Sequence, residues 1–142
     1  MGIDLDKFIQ EFKPKICSFA YNLANGNPVV CQMGFVTYSD KIILHTNTWT
    51  KKWNNISDGL SVALCMGFNH LQNYVQIQGI VKKLSTSDAE FSDLERIYFQ
   101  EHTDAVLYKR NNQEGIILIT PQNLRYAKVN GHDVKFEEYT FT

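Results

Sequence analysis

Lys41-Ile-Ile-Leu-His45-Thr-Asn-Thr-Trp-Thr50-Lys-Lys-Trp-Asn-Asn-Ile56 changes its period halfway along. Lys41 to Leu44 is an apolar run that reads as a strand, and about Thr50 to Ile56 reads as a short helix. The helix opens on hydroxyls and an amide, with Lys51 and Lys52 side by side in its first turn. Backbone N–H groups at a helix start are unpaired and the macrodipole there is positive, so such a strand-to-helix step is suited to holding a phosphate. The same residues also make an ordinary capped, solvated surface helix, because Thr and Asn are common caps and lysine a common surface residue. The elements on either side decide between the two.

Upstream, Leu5, Phe8, Ile9 and Phe12 recur at helical spacing until Lys13-Pro14, which predicts an amphipathic helix over about residues 3–13 covering one end of a sheet or barrel. Ile16 to Tyr21 reads as a strand, and Asn25-Gly26-Asn27-Pro28 as a hairpin turn. Val29 to Thr37 is the next strand, separated from Lys41 to Thr46 by Tyr38-Ser39-Asp40. Downstream, Asp58-Gly59 marks a turn before the strand Leu60 to Met66. Tyr74 to Val81 alternates apolar with polar residues, and Gly79 inside it predicts a bulge or a close backbone approach. Ser87-Asp-Ala-Glu90 fits a capping box ahead of Phe91, Leu94, Ile97 and Tyr98, a longer helix ending near Glu101. Gly115 to Ile119, a turn at Pro121-Gln122-Asn123, and Leu124 to Val129 close the series.

Roughly six or seven short strands with few helices between them predict a mainly β chain, an antiparallel barrel and not a doubly wound sheet. No GxGxxG or GxxxxGK follows any strand, which excludes the Rossmann and P-loop readings. With no repeat, linker or low-complexity segment, the 142 residues read as one domain, large enough to bury a self-sufficient core. Fourteen basic residues against fifteen acidic leave the charge near neutral, which argues against nucleic acid or an anionic membrane as partner. Cys17, Cys31 and Cys65 have neither disulfide-framework nor zinc spacing and are expected to be reduced thiols. With no h-region at the N-terminus and no bilayer-length apolar run, a soluble, cytoplasmic protein is expected. Gly2 lacks a myristoylation context, since Lys7 stands where a hydroxyl residue is expected.

Five segments in order carry a resemblance: Asn27-Pro28-Val-Val-Cys-Gln-Met-Gly-Phe35, Lys41-Ile-Ile-Leu-His-Thr-Asn47, Thr50-Lys-Lys-Trp-Asn-Asn-Ile56, Leu60-Ser-Val-Ala-Leu64 and Tyr74-Val-Gln-Ile-Gln-Gly79. Together they resemble the flavin-binding split-barrel family, which includes pyridoxamine 5′-phosphate oxidase, bacterial general-stress flavoproteins and nitroimidazole-resistance proteins. The resemblance implies a split barrel that dimerises and holds FMN at the subunit interface. By it, His45, Thr46, Asn47, Thr50, Lys51 and Lys52 form the phosphate site, Gln32, Met33 and Gly34 lie beside the isoalloxazine ring, and Tyr74 takes a position often held by Gln near the ring or ribityl chain. It further implies a flavin-dependent oxidoreductase acting on a small molecule; the alternatives are a non-catalytic flavin carrier, or a haem- or deazaflavin-binding barrel. Members that oxidise pyridoxamine phosphate carry a basic residue where this chain has Val29-Val30. They also carry an arginine segment where it ends Phe136-Glu-Glu-Tyr-Thr-Phe141, so vitamin B6 oxidation is not expected.

Single residues have competing readings. His45 is the best candidate for a proton relay, or else a packed strand-end histidine. His70, His102 and His132 sit near element ends, and with no HxxxH or HExxH spacing no metal site is expected. Trp49 and Trp53 are expected to pack the short helix, or to sit at a dimer contact, ahead of stacking on a ring. Lys82-Lys83 and Lys109-Arg110 read as solvated edges.

Overall fold

The computed structural model describes residues 4–109 and 113–141, with only the backbone of Tyr108. The expectations that rest on Gly2 and Arg110 lie outside the described residues. Among the described residues eight strands pair in one antiparallel sheet: β1 (Ile16–Asn22), β2 (Pro28–Gly34), β3 (Val36–Tyr38), β4 (Lys41–Asn47), β5 (Ser61–Met66), β6 (Tyr74–Ser85), β7 (Glu114–Asn130) and β8 (Asp133–Thr140). Among the described residues three α-helices accompany them, α1 (Leu5–Ile9), α2 (Lys51–Asn55) and α3 (Phe91–Glu101), with a 3-10 turn at Thr103–Tyr108.

The hydrogen-bonded order β2-β1-β5-β6-β7-β4-β3 explains why this sheet curls. Its two extreme strands, β2 and β3, are joined in the chain by Phe35 alone, so the two edges of the strip must come together. Val29 to Thr37 is therefore two strands and not the single one expected. At the corner, the Phe35 N–H donates to the Lys15 carbonyl (3.0 Å) and the ring is fully buried. Tyr38 and Lys41 then bracket a tight hairpin in which Ser39 and Asp40 both take positive φ (51° and 61°), the conformation a two-residue turn with the strands' own twist requires.

Alternation along the strands divides the apolar residues into two layers. One fills the barrel: Phe19, Phe35, Ile42, Leu44, Ile77 and Ile117 among others, with Leu5, Phe8, Ile9 and Phe12 closing one end. The N-terminal helix is shorter than the expected span and stops at Ile9; Phe12 reaches the core from a turn in which its N–H donates to the Ile9 carbonyl (2.9 Å). Side-chain hydrogen bonds from Thr37 to Asp6 and from Tyr126 to Glu11 hold this segment in place. The second layer lies outside the barrel, where Val36, Ile43, Leu84, Ile116 and Leu118 receive Phe91, Leu94 and Tyr98 of α3.

Three expectations about local structure need correction. The capping box does not form, since Glu90 makes no side-chain cap bond; Asp88 instead accepts from the backbone N–H of Ser85 (2.7 Å) and ties the approach to the helix. Pro121 does not end a strand. It lies within the 17-residue β7, opposite Gly79, where the β6–β7 register shifts, and a bulge is where a residue without an N–H fits a sheet. Gly79 is required there because a Cβ would stand 2.7 Å from the Thr120 carbonyl oxygen. The last strand, β8, was not anticipated, although Asn130-Gly131 is a strong hairpin signal and Gly131 has φ 63°.

Candidate functional site

The short helix α2 is held rigidly. Thr50 caps it, accepting from the Trp53 N–H (3.3 Å) while donating its single hydroxyl proton to the Asn47 carbonyl (2.9 Å). The buried Thr46 hydroxyl, 3.1 Å from that of Thr50, must then be the donor between them. Both threonine protons are thus committed inside the protein. Trp53 lies over Gly115, where a Cβ would run into the indole ring, and Lys83 stacks 4.3 Å from the ring centroid while donating to the Trp53 carbonyl (2.8 Å). The expected packing role of Trp53 is what the structure shows, whereas Trp49 is exposed.

What α2 leaves available is its cations. Lys51 is exposed and Lys52 half-buried, and among the described residues neither pairs with a carboxylate. Lys52 points toward β2, where its charge opposes the upward push that burial gives the Cys31 thiol.

The outer face of the sheet offers a second feature. Strand register aligns Gln32, Ser18, Cys65, Gln76, Arg125 and Glu138 in one transverse row. Val30, Ala20, Ala63, Gln78, Asn123 and Thr140 form the next. Small side chains in the middle and longer ones at the margins make a cleft of about 610 Å³. Gln32 stands in the first row, and Tyr74 is on the same face two residues before Gln76, packed against Gly67.

The other expected residues go elsewhere. Met33 is buried in the barrel. Gly34 faces α3, and a Cβ there would lie 2.8 Å from the Tyr98 hydroxyl and 2.9 Å from the His102 ring, so helix packing accounts for this glycine. His102 itself is fixed by a 2.8 Å hydrogen bond to the Phe35 carbonyl.

His45 parts company with Thr46 because neighbours in a strand face opposite sides. Thr46 turns into the barrel end, whereas His45 sits beneath α3 with its Nε2 3.3 Å from Glu95 Oε2 and its ring against Tyr98 and Phe99. Burial pulls its pKa below the ordinary 6.5, partly offset by the Glu95 carboxylate. Asn47 lies opposite Glu114 in the β4–β7 register. Glu95 and Glu114, 19 residues apart and on different elements, have no spacing signal that would have associated them with His45.

A sequence model of the family described as pyridoxamine 5′-phosphate oxidase matches residues 5–128. In structure the chain is similar to a pyridoxamine 5′-phosphate oxidase-related, FMN binding protein from Nostoc punctiforme, with 14% identity and a TM-score of 0.70 over 96% of this chain and 92% of that one. It is also similar to a heme binding protein from Mycobacterium smegmatis (12% identity, TM-score 0.72, 94% of this chain and 55% of that one). An F420 reductase is a third likeness (17% identity, TM-score 0.63, 87% of this chain and 98% of that one). At such identities these structures share the fold alone. No curated protein matches the chain in sequence.

Proposed function

The chain belongs to the pyridoxamine 5′-phosphate oxidase family, and we propose that it is a homodimeric FMN-binding oxidoreductase acting on a small molecule. The observation that carries this reading is the pair of unpaired lysines on a helix pinned by Thr50 and Trp53. Such a donor set suits a phosphomonoester, with Lys51 and Lys52 supplying charge where the threonine hydroxyls are already engaged. The outer-face cleft suits the rest of the group. Its alanines and Ser18 give a flat floor, and the amides of Gln76 and Gln78 in its lining, with Gln32 opposite Ser18 on the edge strand, offer both donors and acceptors.

FMN supplies hydride and electron transfer when bound; the protein contributes binding, orientation and the exclusion of water. A second copy is the natural cover for this face, which leaves Val30 67% and Phe136 45% exposed on a single chain. Val30 stands where family members that oxidise pyridoxamine phosphate have a basic residue, and β8 presents Glu137 and Glu138 in place of an arginine segment. A phosphorylated B6 vitamer is accordingly not the substrate proposed.

Haem is the less suitable occupant, because no histidine lines the cleft among the described residues. His45 and His102 are engaged under α3, and His70 and His132 are exposed on turns. A deazaflavin makes similar phosphate demands, so it is the competitor to include. The test is retention of FMN, F420 or haem by purified protein after unbound cofactor is removed, followed by oxidation of a reduced nicotinamide nucleotide. Retained flavin bands with turnover support the reading; flavin without turnover makes the protein a carrier, and a haem spectrum alone overturns it.

A further inference from the structure

We propose that His45, Glu95 and Glu114 bind one divalent transition-metal ion between α3 and the sheet. The three residues come from three elements, β4, α3 and β7, and one ligand atom from each lies within 4.8 Å of the others. His45 opposes Ile116 and Asn47 opposes Glu114, so His45 and Glu114 are diagonal neighbours on the sheet face that α3 covers. Neighbouring donors in a tetrahedral site with bonds of about 2.0–2.1 Å stand roughly 3.3 Å apart. The His45 Nε2 to Glu95 Oε2 separation is 3.3 Å.

Glu114 is the independent indication of a missing cation. It is 4% exposed, and its Oε1 is sealed from solvent with no hydrogen-bond partner among the described residues. A carboxylate is seldom buried in this way unless it is paired or coordinates a metal. Lys109 pairs with Glu95, its Nζ 3.1 Å from Oε1, and acts on Glu114 only through its charge at longer range, with no ion pair between them. With the imidazole neutral, one ammonium, that of Lys109, faces the two acids among the described residues, and a dication displacing the Glu114 proton supplies the remaining charge.

The environment of His45 favours its ligand form. Burial keeps His45 below its ordinary pKa, leaving a neutral ring with a lone pair, and Tyr98 and Phe99 hold that ring in place. Burial and the adjacent Glu95 raise the Glu114 pKa, with Lys109 opposing, so a cation bound here competes with a proton for this carboxylate. One imidazole with two carboxylates suits Zn²⁺, Mn²⁺, Fe²⁺ or Co²⁺, and three protein ligands leave a coordination position for water or an exogenous group. This site is distinct from the cleft and from the α2 lysines, and the inference does not depend on flavin binding.

The test uses the full chain, freed of metal by a chelator and free of flavin. Co²⁺ is titrated by its visible absorption, and Zn²⁺ by calorimetry. One ion per chain is expected, with binding weakened at least about tenfold by Glu114→Gln or by His45→Gln and unchanged when His70 and His132 are both replaced by alanine. Glu114→Gln removes a buried charge and is expected to fold; melting curves of both variants establish this. Absence of saturable binding overturns the proposal. So does binding that survives Glu114→Gln and His45→Gln, or that disappears with His70 and His132.

Discussion

Individual side chains separate the two proposed chemistries, flavin binding and metal binding. Lys52→Ala is expected to weaken FMN binding by about 1.5–3 kcal/mol, or roughly ten- to a hundredfold, in a fluorescence titration. Lys82→Ala, on an exposed strand position already paired with Glu90, is the control that leaves affinity intact. Gly115→Ala drives a methyl into the Trp53 ring, and overpacking of this kind costs about 1–3 kcal/mol, read in denaturant unfolding. The group under α3 gives a pH signature in metal-free protein. His45 has a folded pKa below 6.5, so as pH falls the unfolded chain takes up this proton first and stability declines below that value. Glu114 has a folded pKa above its ordinary 4.5, so the unfolded chain releases this proton first and stability declines as pH rises from there through the folded value. In melting curves recorded with a chelator, His45→Gln should remove the decline from the first group and Glu114→Gln that from the second.

At the scale of elements, the barrel closes through one residue. Phe35 is the corner between the two edges of the sheet and is fully buried, so Phe35→Ala is expected to cost about 3–5 kcal/mol in denaturant unfolding. The periodic segments were legible in advance: the alternation of Val75 and Ile77 with Gln76 and Gln78 became β6, and the spacing of Phe91, Leu94 and Tyr98 became α3. Legibility ended where long-range contacts outvote local chemistry. Phe35 breaks an apolar run that looks continuous because its N–H pairs with Lys15, and Pro121 stays within a strand because Gly79 bulges opposite it. The site divides in the same way. Thr50 was readable as a cap and Trp53 as a packing residue, each from its own segment. That Thr46 and His45 face opposite layers also follows from strand alternation, yet a reading by contiguity grouped them. The meeting of His45 with Glu95 and Glu114 depends on how α3 crosses β4 and β7, which no spacing records.

For the whole molecule, the strand order places α3 over one side of the barrel and leaves the β1-β5-β6 side open, with its small-residue floor and exposed margins. Among the described residues no helix is long and apolar enough to cross a membrane. The exposed Val30 and Phe136 make covering by a second copy the proposal this face invites. Binding that requires both copies makes dimer and holoprotein interdependent: dilution should release flavin, and saturating flavin should raise the melting temperature through preferential binding to the native dimer. The most direct measurement is size-exclusion chromatography with light scattering on protein saturated with FMN, following protein and flavin absorbance together. The account predicts a species of twice the chain mass carrying one flavin per chain, and loss of the flavin signal in Lys52→Ala. A monomer that elutes without flavin at saturating FMN would contradict it.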